Sequence, residues 1–152
     1  MEKKTKIIHF ELTPIEATVI MNTVGLMYCG GPEYYDYPKK LKKKEIREAM
    51  SCWEQLCCTR NTAVYGTDTF TVPIPYSEPV WQKKTTYKIT QRELDLLLEI
   101  FDTTLKESKS DDFDELRIIT GFPPEKIFHC FEILKQAMVE NVIRNNVASH
   151  IK

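Results

Sequence analysis

The sequence predicts a mainly helical α+β fold, made of two related units in tandem that pack as one compact body. Three observations predict it. A short pattern occurs twice, since Phe10-Glu-Leu12-Thr13-Pro-Ile-Glu16 and Tyr87-Lys-Ile89-Thr90-Gln-Arg-Glu93 both place an extended segment before a Thr-x-x-Glu cap and an apolar helix. Each cap is followed downstream by a further helix, opening at Lys44-Glu-Ile46 and at Glu125-Lys-Ile127. Between the units lies a stretch containing Pro73, Pro75 and Pro79, which reads as an extended connector. The organisation is therefore a first unit over residues 1–72, a connector over 73–84 and a second unit over 85–152.

Residues 6–12 roughly alternate apolar and polar side chains, as a half-buried strand requires. Thr13 is then an N-cap, Pro14 sits at the first helical position and Glu16 completes the capping box. The helix runs to about Tyr28, with Ile20, Val24 and Met27 on one face, and stops at Gly30-Gly31-Pro32. A tyrosine-rich loop, with Tyr34, Tyr35 and Tyr37, leads into Lys39-Lys-Leu-Lys-Lys-Lys44. The next helix is expected over 42–58, because Ile46, Ala49, Met50, Trp53, Leu56 and Cys57 form a continuous apolar stripe. In residues 62–72, β-branched and aromatic runs flank Gly66-Thr-Asp68, which predicts a hairpin.

The second unit repeats the plan. Thr90 and Glu93 cap a helix carrying Leu94, Leu97, Leu98, Phe101 and Leu105. Asp112-Phe-Asp-Glu115 starts a short helix that Gly121 ends, and Pro123-Pro124-Glu125 opens a last helix with Ile127, Phe128, Phe131, Leu134 and Met138 inward. The tail 142–148 reads as a small hairpin around Asn145-Asn146.

Within 112–138 a short helix, a Gly-containing turn and a longer helix follow in order, and this resembles a helix-turn-helix. With a helix before it and a hairpin after it, the stretch 87–149 resembles a winged-helix domain. Residues 8–73 resemble one more loosely, without the short middle helix. The resemblance implies a second helix in a major groove, its N-terminal residues on base edges and basic side chains on phosphates. The second unit departs from that pattern. Its recognition-helix positions Glu125, Lys126, His129, Glu132, Lys135 and Gln136 include no arginine, and Asp112, Asp114 and Glu115 precede them. Such a surface favours packing or protein contact over phosphate.

The first unit is the better DNA candidate, with Lys39, Lys40, Lys42, Lys43, Lys44 and Arg47 clustered at the entry to its long helix. Lysines at a helix N-terminus oppose the macrodipole, which hints at another use for them. Tyr34, Tyr35 and Tyr37 beside this run suit base stacking or, with Glu33 and Asp36 interleaved, a protein interface. The chain as a whole has a net charge of -1, with 12 Lys/Arg against 10 Asp/Glu over 1–84 and 9 against 12 over 85–152, so any polyanion site is a local patch.

Five cysteines, Cys29, Cys52, Cys57, Cys58 and Cys130, lack zinc-knuckle spacing and read as packing residues. No phosphate-binding loop, dinucleotide fingerprint or nucleophile elbow occurs, so neither an enzyme, a cofactor nor a bound metal is expected. No secretory leader or membrane-spanning run is read, which suits a cytoplasmic protein with reduced thiols. The function expected is that of a non-enzymatic regulatory or adaptor protein that binds a macromolecule. Its partner is DNA through residues 39–47 or, alternatively, another protein, with contacts at 33–47 and 62–72; a homodimer is a further expectation.

Overall fold

Both Thr-x-x-Glu boxes form, and their hydrogen bonds run both ways. The computed structural model describes residues 6–29, 43–69, 73–107 and 120–150. Strand β1 (Ile7–Leu12) enters helix α1 (Pro14–Cys29), and strand β2 (Thr85–Thr90) enters α3 (Gln91–Glu107). The Thr13 amide donates to Glu16 Oε1 at 2.8 Å while the Glu16 amide donates to Thr13 Oγ1 at 3.1 Å. The same pair of bonds joins Thr90 and Glu93, at 2.8 and 3.0 Å. Each box satisfies amides that the first helical turn leaves without intrahelical partners. Thr90→Ala is expected to lower stability by about 1 kcal/mol in chemical denaturation.

The two strands pair with each other, antiparallel, from Ile7 opposite Thr90 to Leu12 opposite Thr85. The sheet is thus made of the strand before each Thr-x-x-Glu box. Phe10 and Tyr87 hold the same place in the two motifs, and they face one another across the sheet. A local pseudo-twofold axis passes through that pair. The helices obey it too: α1 packs on α2 (Lys43–Tyr65), α3 packs on α4 (Pro124–His150), and each first helix also meets the other unit's second helix.

Ile8, Phe10 and Leu12 of β1 and Tyr87 and Ile89 of β2 belong to one core. α1 is its axis, buried on several sides through Ala17, Val19, Ile20, Met21 and Val24. The hydroxyls of Thr18, Thr23 and Thr104 are buried at low cost, because they donate to the carbonyls of Pro14, Val19 and Ile100 one turn earlier, at 2.8, 2.8 and 2.7 Å. The Tyr87 hydroxyl has no such partner among the described residues, and burial pushes its pKa up to about 12. Its counterpart is Phe10, so Tyr87→Phe is expected to keep the fold and raise stability by about 1 kcal/mol in the same measurement, through removal of an unsatisfied group.

The expected hairpin over 62–72 is corrected: residues 62–65 continue α2, and residues 70–72 lie outside the described residues. The helical stripe simply goes on, with Leu56 and Val64 buried and Thr62 Oγ1 donating to Cys58 O at 2.9 Å. Gly66, at φ 79°, ends the helix, and its amide donates to Thr62 O at 3.0 Å. What looks like a hairpin turn is a left-handed helix cap. The expected tail hairpin is corrected as well, since residues 142–150 belong to α4. Asn145-Asn146 has no glycine to open a two-residue hairpin and is tolerated in a helix. The short helix expected over 112–119 lies outside the described residues; Gly121, at φ 81°, does turn the chain into α4.

The connector is not simply extended. Pro79–Gln82 forms a 3-10 turn that buries Trp81 to 3% exposure. The indole Nε1 donates to Ile74 O at 2.8 Å, and Tyr76 meets the ring edge-on at 4.7 Å. Tyr76 in turn stacks on Phe122 at 6.0 Å, so the connector is fastened to the second unit.

Candidate functional site

Helix α4 lies alongside β1 and runs opposite to it. Its start is held at the β1–α1 junction, where His129 Nε2 is 2.8 Å from Glu16 Oε2 and the Cys130 thiol points at Glu16 O at 3.7 Å. Glu16 therefore closes its own helix cap with one oxygen and binds α4 with the other. At the far end Arg144 comes beside Lys6 and Ile7. The equivalent contact in the other half has the opposite polarity. Glu48, which follows Ile46 as His129 follows Ile127, takes a two-pronged bond from Arg92 in the first turn of α3, with Nη2 to Oε1 at 3.0 Å and Nε to Oε2. That guanidinium holds the Glu48 carboxyl below its ordinary value, so the pair's support is present above the ordinary carboxylate range and fades as pH falls through the lowered one.

Between β1 and α4 runs a groove of ≈ 660 Å³, continuous with a hollow of ≈ 300 Å³ that shares His9, Ala137, Glu140 and Arg144 with it. Among the described residues, one edge of its strand wall has no neighbouring strand. The Gln91 amide donates to Lys6 O at 2.9 Å, so alternate residues of β1 from Lys6 onward aim their amides and carbonyls at β2. Ile7, His9 and Glu11 aim theirs away from it, and among the described residues nothing bonds to them. Lys6, Lys84 and Arg144 line the groove with no carboxylate in ion-pair distance among the described residues. Glu11 and Glu140 are its remaining acids among the described residues, Glu16 being held by His129.

Of the residues singled out in the sequence, Tyr34, Tyr35, Tyr37, Lys39, Lys40 and Lys42 lie outside the described residues. Lys43 begins α2, and Lys44 and Arg47 are exposed on its first turns, with Glu45 and Glu48 among them. Cys52 and Cys130 are core residues whose thiols burial pushes up to about 12, while Cys57 accepts a bond from Asn61 Nδ2 at 3.6 Å and Cys58 is exposed. Among the described residues no three His, Cys, Asp or Glu side chains converge on a metal position, and no helix is long and apolar enough to cross a membrane. The groove itself escaped the sequence reading. The alternation in Ile7–Glu11 marks a strand, but which edge stays open depends on pairing with residues far along the chain. Compared with family models, curated proteins and solved structures, the chain matches none.

Proposed function

We propose that this protein is a non-enzymatic adaptor that takes an extended segment of a partner protein into the groove between β1 and α4. The observation that carries this reading is the row of amides and carbonyls at Ile7, His9 and Glu11, unpaired among the described residues and facing a groove with a helix as its other wall. An added strand gains main-chain hydrogen bonds from such an edge and side-chain selectivity from the opposite wall. Lys6, Lys84 and Arg144 favour a segment bearing carboxylates. On this reading the turn at Gly121 seats α4 beside β1 rather than in a DNA groove.

The test turns on one backbone atom. Proline at an outward position of an edge strand costs no bond to the neighbouring strand. His9→Pro is therefore expected to leave the circular dichroism spectrum unchanged and abolish cross-linking of partners to a photoreactive residue at Ile7, whereas His9→Ala retains it. Partner capture that His9→Pro leaves untouched would sink the proposal.

A second reading, DNA binding through the basic run 39–47, draws on the exposure of Lys44 and Arg47 at the start of α2. It requires anisotropy of labelled DNA to rise at low salt, to fall steeply with added salt, and to be lost when Lys42, Lys43, Lys44 and Arg47 are neutralised. Binding indifferent to that variant removes it.

A further inference from the structure

Strand register decides which side chain of a bound segment meets which residue of β1. Ile7, His9 and Glu11 stand on the solvent side of the sheet, and so do Thr86 and Lys88 of β2. The pairing sets them in three rows: Ile7 beside Thr90, His9 beside Lys88, and Glu11 beside Thr86. A strand added to the outer edge of β1 extends each row by one residue, because residues opposite one another in neighbouring strands share a face. Three alternate residues of the segment therefore come beside Ile7, His9 and Glu11, whichever way the segment runs. The two residues between them turn inward, where Ile133 and Ala137 are apolar members of the α4 wall.

Each row makes its own demand. In the middle row His9 and Lys88 face each other, with no carboxylate in ion-pair distance among the described residues. An imidazole keeps one N–H donor even when neutral. Lys88 is two strand spacings, about 10 Å, from the segment backbone, a span that two long side chains bridge. An acidic residue beside His9 therefore meets both groups. Ile7, 51% exposed, offers apolar surface that a large apolar neighbour covers. Glu11 disfavours an acid directly opposite it, and Lys84 at the same end of the groove disfavours a base, so that place stays neutral. We propose that the segment taken by the groove carries an Asp or Glu beside His9 and a large apolar residue two positions away beside Ile7, with no charge beside Glu11. This inference rests on the adaptor reading and gives it a sequence rule: one acid at a fixed place, not an acidic tract.

Selection of random peptides displayed on phage tests the rule and separates it from the adaptor reading. Peptides captured by the parent protein are expected to share an acid and a large apolar residue two positions apart. His9→Glu keeps the backbone amide and carbonyl but reverses the charge beside the segment. Selection against that variant is expected to replace the shared acid by Lys or Arg and to keep the apolar position. For a peptide selected by the parent, alanine in place of the acid is expected to weaken binding about fivefold in fluorescence anisotropy, the upper range for a favourable cross-strand pair. Lys88→Glu, on the exposed side of β2, is expected to weaken the same peptide by a similar factor. Peptides that His9→Pro no longer captures, but that are acidic throughout, lack the acid or ignore both charge reversals, overturn the rule and leave the adaptor reading standing. No captured peptide, or capture that His9→Pro leaves untouched, overturns both.

Discussion

Alanine in place of Trp81 is expected to lower the unfolding free energy by about 3–5 kcal/mol, the usual loss for a buried large aromatic residue. Here the residue is also a fastener. Its ring fills a place beside α1 and α2, with Tyr65 edge-on at 6.4 Å and Tyr76 at 4.7 Å, and its indole caps the Ile74 carbonyl. Truncation opens a cavity, leaves that carbonyl without its donor and frees the connector from the body. Denaturant melting followed by circular dichroism gives the energy. Trypsin gives the local effect, because Lys83 and Lys84 are exposed directly after the 3-10 turn and cleavage there should become much faster. A loss below about 1 kcal/mol with unchanged cleavage would mean that the connector is not held by this residue.

Phe10→Ala is expected to cost a similar amount, again about 3–5 kcal/mol. Phe10 is 8% exposed at the centre of the strand pair, and its cross-strand partner Tyr87 is 1% exposed. Removing the ring therefore empties the place where the two strands meet. The pair should also behave non-additively: the double variant Phe10→Ala, Tyr87→Ala loses less than the two single losses together, by about 0.5–3 kcal/mol, as residues in contact do. Strict additivity in denaturant melts would contradict direct packing across the axis.

Local chemistry made part of this fold legible in the sequence. The two capping boxes, the strands before them and the glycine turn at Gly121 each rest on residues close together in the chain, and each is present. The hairpins failed for a reason also visible in retrospect. Val64 continues the spacing of Leu56, so burial of the helical stripe outweighs the β-propensity of Thr62–Tyr65, and Gly66 serves as a cap. Trp81 shows how a tertiary contact overrides a proline-rich composition. The repeat was readable as a repeat, but the partnership between its copies was not, because strand register is a property of residues distant in sequence. The free edge of β1 and the cations beside it follow from that register, and so the groove could be found only once the fold was known.

The strand pairing also bears on how the chain reaches this structure. Residues 13–84 separate the two strands, so the contact at Phe10 and Tyr87 is a long-range one. Loop closure of that length delays folding more than it costs in final stability. During synthesis β1 emerges before β2, and its apolar side lacks half of its cover until β2 leaves the ribosome. The sheet is therefore expected to be a later event than the gathering of helices α1 and α2, because β1 cannot make its strand pair until β2 arrives.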